Sequence, residues 1–175
     1  MSRLASMSLD QMPEDQRRRF LEITAGPVST VRGPFGAWVR SPELADHMLA
    51  TIRLLRDRLS LPARLVELAI LIAVRHWDAR YAWQAHEARG LKAGLGPEVL
   101  AAIGAGRTPL FKKDDEAAVF AFCTELLEAR AAGAAAYARA VEALGERGVV
   151  ELTAALGFYA MIAMTVKAFE IPAAG

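Results

Sequence analysis

Apolar residues recur along this chain at intervals of three and four, and no run of alternating apolar and polar positions asks for a strand. The pattern predicts an all-α protein, a compact multi-helix bundle of about six to eight helices with no sheet. Proline and glycine punctuate it. A first helix starts after Pro13, where Glu14 and Asp15 complement the helix dipole, and it ends at Gly26-Pro27. From Gly26 to Arg40 the chain reads as an irregular segment whose aromatics, Phe35 and Trp38, fit either a pocket cover or packing onto the core. Ser41 is the expected N-cap of a helix with Pro42 at its first position, and Glu43 to Leu59 buries Leu44, Met48, Ile52 and Leu55 on one stripe. Ser60 and Pro62 repeat that punctuation before the next helix.

That next helix is central. From Leu65 to Val74 it is apolar nearly all round, as an element enclosed on every side must be, and Glu67 is the exception within it. The following helix begins near Asp78, which can cap it, and runs to Lys92 with Gly94 as its stop. Ala79, Ala82, Trp83 and His86 then share one face, and two small residues beside a ring and an imidazole leave room for a ligand or for a neighbouring helix. Further helices are expected over Pro97 to Ala105, Asp114 to Ala131, Ala134 to Leu144 and Gly148 to Phe169. The run from Leu152 to Val166, bounded by Glu151 and Lys167, is short for a membrane span and reads as a buried core helix or an oligomer seam.

At 175 residues the chain suits one domain, 1–175, with residues 1–32 forming an N-terminal helix and irregular extension. A single cysteine excludes a disulfide framework, and a cytoplasmic location is expected. Cys123 sits in an apolar helical run and reads as a small buried hydrophobe. Formal net charge is +1, with acids and bases interleaved, so neither nucleic acid nor an anionic membrane is an expected partner. The first twenty residues lack the apolar core of a signal peptide.

Candidate chemistry narrows quickly. Burying a carboxylate costs several kcal/mol unless it is paired, so Glu67 is either matched or functional, and His86 is its expected partner. His47, His76 and His86 form no metal-ligand spacing, and no metal is expected. The Gly104-Ala105-Gly106 fragment lacks the third glycine and preceding strand of a dinucleotide site. There is no serine nucleophile elbow and no lysine in an apolar run, so no cofactor is expected and acid-base chemistry is what remains.

Glu67, His86 and their flanks resemble the carboxymuconolactone decarboxylase and alkylhydroperoxidase D-like superfamily, whose redox signature reads E-x11-C-x2-C-x3-H. Laid on this chain, the signature puts its Glu at Glu67 and its His at His86, and its two cysteines fall on Ala79 and Ala82. Ser41 to Leu44, Leu61-Pro62 with Arg64, and the HEARGLKAGL run beginning at His86 agree as well. The resemblance implies a bundle of the alkylhydroperoxidase D-like type and a homo-oligomer, trimeric or hexameric. Two alanines cannot supply the attacking and resolving thiols of a peroxidase, which leaves the decarboxylase branch. It implies a cofactor-independent lyase acting on a small carboxylated lactone or cyclic acid, with His86 as proton donor and Glu67 fixing its tautomer or sharing its proton. Arg75 would bind the substrate carboxylate, and Trp83 and Tyr81 would wall the pocket. The alternative is a non-catalytic member of the fold, a small-acid-binding oligomer.

Overall fold

The structure, a computed structural model, describes residues 2–4, 10, 12–25 and 33–172. Its helices follow in the order α1 (Glu14–Ala25), α2 (Pro34–Trp38), α3 (Pro42–Asp57), α4 (Ala63–His76), α5 (Arg80–Ala93), α6 (Pro97–Gly104), α7 (Asp114–Glu128) and α8 (Ala134–Ala168). No strand occurs among the described residues. The expected helix end at Gly26-Pro27 and the segment up to residue 32 lie outside the described residues.

Helix α4 is the axis of the bundle. Every residue from Leu68 to Val74 is buried, and α5, α7 and α8 pack around it. Leu65, Leu68, Ile70 and Leu71 meet Val119 and Cys123 of α7 and Leu152 and Leu156 of α8, all under 2% exposed. Each aliphatic side chain so buried contributes about 1.5–3 kcal/mol, so a helix apolar on all faces is stable only in this enclosed position. At the start of α4, Arg64 reaches the first turn of α7. Its guanidinium bonds Asp115 at 3.1 and 2.5 Å and Glu116 at 2.8 Å, locking the two helices in register.

Prolines open α2, α3 and α6 as the punctuation predicts, and Gly94 closes α5 in a left-handed conformation at φ 99°. The serines and Asp78 behave differently. Ser41 makes no side-chain capping bond. Ser60 turns away from α4, and its backbone N–H and hydroxyl both donate to Glu151 of α8 at 2.7 Å. Asp78 occupies the tight turn between α4 and α5 at φ 48°, a left-handed conformation incompatible with the extended backbone of an N-cap, so α5 starts two residues later at Arg80.

Other expectations shift by a position or two. On α3 the buried places go to Ala45 and Leu55, with Met48, Leu49 and Ile52 half-buried; Leu44 falls beside that stripe and is 44% exposed. The part of the aromatic segment that is described folds as the short α2, where Phe35 and Trp38 meet edge to face at 5.4 Å and Trp38 is buried in the core. The two expected C-terminal helices are both present as the two parts of α8, on either side of a kink at Gly145 (φ 70°, ψ 165°), a conformation that favours glycine. Beyond that break Leu152, Leu156, Tyr159, Ile162 and Val166 are buried on one face. Although α8 is long and apolar enough to cross a membrane by length and composition, 50% of its most apolar window is buried inside the fold.

Candidate functional site

The turn at Asp78 sends α5 back along α4, so residues early in α4 lie level with residues midway through α5. Glu67 and His86 meet there. His86 Nδ1 donates to Glu67 Oε2 at 2.7 Å, with the two side chains 7% and 14% exposed. With the Nδ1 proton directed at the carboxylate, Nε2 is the ring position left for other chemistry.

The third wall comes from α8. Tyr159 stacks edge to face on His86, ring centres 4.8 Å apart at 83°. Burial first, and then the negative charge of Glu67, push its phenol up to about 12, while Arg89 and Arg56 pull in the other direction. Tyr159 is therefore a neutral hydroxyl at ordinary pH. Arg89 and Arg56, both exposed, place positive charge within electrostatic reach of the site. None of these three residues stands out in the sequence. Arg89 lies one turn beyond His86 and was the findable one; Tyr159 is a lone hydroxyl in a run that reads as core.

Ala79 and Ala82 are buried, 1% and 4% exposed, and present only methyl groups where a peroxidase of the resembled family would carry its thiols. Cys123 is wholly buried on α7, and burial pushes its thiol far above the ordinary range. No cluster of three or more His, Cys, Asp or Glu side chains that could hold a metal ion occurs among the described residues.

Arg75, Trp83 and Tyr81 make the following contacts. Arg75 follows Glu67 by eight residues on α4, about 12 Å of helix. Its Nε donates to the Gly104 carbonyl at 2.9 Å, and it shares with Trp83 a cleft of about 250 Å³ beside Asp78, Arg80 and Gly104. Trp83 packs against Gly104, where an added Cβ would come within 3.1 Å of the indole. Tyr81 covers Gly33, where an added Cβ would lie 2.2 Å from the phenol ring. The structure thus brings together Glu67 and His86, and brings Arg75 and Trp83 into a cleft that neither Glu67 nor His86 lines.

No family model matches the chain, and no curated protein matches it in sequence. Solved structures do match in fold. One, described as an alkylhydroperoxidase AhpD core and an uncharacterised peroxidase-related protein from Ralstonia eutropha, superposes with a TM-score of 0.78 at 15% identity, covering 99% of this chain and 92% of its own. A second, a protein of unknown function from Agrobacterium tumefaciens named for a proposed antioxidant-defence role as AhpD, gives a TM-score of 0.71 at 16% identity over 79% of this chain and 96% of its own. The fold is AhpD-like.

Proposed function

We propose that this chain, an AhpD-like fold with alanine at positions 79 and 82, is a cofactor-independent decarboxylase-like lyase acting on a small carboxylated lactone or cyclic acid. The observation that carries this reading is the buried 2.7 Å contact between His86 and Glu67, an oriented acid-base pair in a chain with alanine at positions 79 and 82.

The chemistry follows from the pair. The bond between the ring carbon and the substrate carboxylate breaks, its electrons move into the unsaturated lactone, and CO2 departs. A carbon of the resulting dienolate then takes a proton from His86 Nε2, while Glu67 holds the ring through Nδ1 and balances the imidazolium. Tyr159 keeps its proton and supplies a donor and an apolar wall. Arg56 and Arg89 favour an anion at this level of the bundle, the role the resemblance would give to Arg75.

Self-association belongs to the same reading. The outward face of α8 carries Val150, Ala154, Gly157, Met161 and Met164 at helical spacing, with Val150 69% and Met164 45% exposed, and supports a homo-oligomer, trimeric or hexameric. One observation favours the second reading, a small-acid-binding protein without catalysis: the clefts at Arg75 are not lined by Glu67 or His86.

The deciding experiment is ultraviolet turnover of carboxymuconolactone with CO2 release as a second readout, and His86→Ala alongside. Turnover that falls at least about 100-fold in a variant with unchanged helix content and assembly supports the lyase. Turnover equal in both proteins, or absent from both, overturns it for that substrate.

A further inference from the structure

Beyond the Glu67–His86 pair, a cleft of about 340 Å³ opens between the C-terminal ends of α4 and α6 and the second half of α7. Its two sides differ in chemistry. Ile72, Ile103, Phe120 and Leu127 form an apolar floor, and Arg75 and Arg107 form a cationic rim, with His76 beside them, against a single lining carboxylate, Glu128.

Arg75 is held in place for this rim. Its Nε is tied to the Gly104 carbonyl at 2.9 Å, and the loop folds against its far edge at Gly106, whose φ of 69° admits glycine and where an added Cβ would stand 3.3 Å from Nη2. The end of α6 is pinned by Gly106 N–H to Ile103 O at 2.9 Å and Arg107 N–H to Ala102 O at 2.9 Å. Neither Arg75, His76 nor Arg107 has a carboxylate partner among the described residues, although Arg3, Arg19, Arg64 and Arg147 each do. Thr124, in the same wall, has a buried hydroxyl without a hydrogen-bond partner, whereas Thr51, Thr153 and Thr165 each donate to the carbonyl one turn back.

We propose that this cleft is a second ligand site, distinct from the Glu67–His86 pair, that binds a small amphipathic carboxylic acid. Arg75 and Arg107 take the carboxylate, and Phe120 and Leu127 take the apolar body. Guanidinium forks suit carboxylate and phosphate alike, but the apolar floor and the presence of Glu128 favour a monoanion with an apolar body over inorganic phosphate. The proposal stands whether or not Glu67 and His86 perform catalysis.

The test is titration of the full chain with benzoate, followed by amide NMR shifts, with inorganic phosphate as the comparison. Saturable shifts in Arg75, Arg107, Thr124 and Leu127 are expected, with phosphate at least about tenfold weaker. Arg107→Gln, on the loop after α6, should weaken benzoate about tenfold, equivalent to about 1.4 kcal/mol, while His86→Gln leaves it unchanged. Phe120→Ala provides a second variant should Arg107→Gln loosen the loop, and should weaken benzoate without affecting phosphate. No saturable binding at millimolar benzoate, shifts confined to Glu67 and His86, or phosphate binding as tightly as benzoate would each overturn the proposal.

Discussion

Replacing Arg64 by methionine is expected to cost about 3 kcal/mol of stability near neutral pH. Methionine keeps an aliphatic stem and removes the three bonds to Asp115 and Glu116. Glu116 is only 3% exposed, and after the substitution its remaining cation is Lys113 at 3.3 Å, itself half exposed. Breaking a buried ion pair from one side costs about 3–5 kcal/mol, and the surviving lysine places this case at the lower end. Acid supplies a second readout. The hydrogen bond from Arg64 holds the Asp115 carboxyl below the ordinary carboxylate range, against the opposing effect of burial. A depressed folded value means that its stabilisation is fully present above the unfolded value, about 3.9, and is lost as the pH falls through the folded value. The gap between wild type and Arg64→Met should therefore narrow below about pH 4. Urea unfolding followed by circular dichroism across a pH series measures both effects. A neutral-pH difference under about 1 kcal/mol, or a gap that persists in acid, refutes the assignment of this cluster as the lock between α4 and α7. Combining Arg64→Met with Glu116→Leu should recover much of the loss, because no buried charge is then left unpaired.

Three further outcomes are expected. Tyr159, with its phenol pushed up to about 12, should lose stability as the pH rises above about 10, where the unfolded phenol ionises and the folded one does not; the difference spectrum between wild type and Tyr159→Phe reports the titration, and Glu67→Gln should move it downward. Cys123 should fail to react with an aromatic disulfide reagent in the native protein and react fully in denaturant; a rapid native reaction would contradict its burial. Gly157→Arg, placed where an added Cβ meets nothing within 4 Å, should leave folding intact and give a monomer by light scattering, whereas an unchanged assembly removes the outer face of α8 from consideration as the seam.

Local signals in the chain decide structure where they act through the backbone. Pro42, Pro97 and Gly94 begin and end helices because ring closure or a missing Cβ decides the dihedral angle wherever the residue sits. Polar side chains are less legible, since a serine or aspartate chooses among partners that only the folded chain supplies: Ser60 bonds Glu151, ninety-one residues away, and Asp78 takes the turn itself. The pairing of Glu67 with His86 was legible through the cost of burying a carboxylate and through the family spacing. Tyr159 was not, because its place against His86 depends on how α8 packs across the α4–α5 hairpin, and periodicity within one helix carries no information about that. Arg75 shows what helical spacing leaves open: it lies eight residues beyond Glu67, about 12 Å of rise, and the tie of its Nε to the Gly104 carbonyl depends on where the end of α6 packs.

The break at Gly145 divides α8 into two parts of unequal anchorage. Before it, Ala136 and Ala140 are the buried residues and offer little more than a methyl group each; after it, Leu152, Leu156, Tyr159 and Ile162 are set into the core. Helical hydrogen bonding cannot propagate cooperatively through a residue at φ 70°, so the two parts need not open together. Amide protons of residues 134–144 should exchange with solvent through local opening, while those beyond residue 148 wait for global unfolding. The two sides of the kink are thus two units by cooperativity, and the weaker is the place where this bundle is expected to begin to come apart.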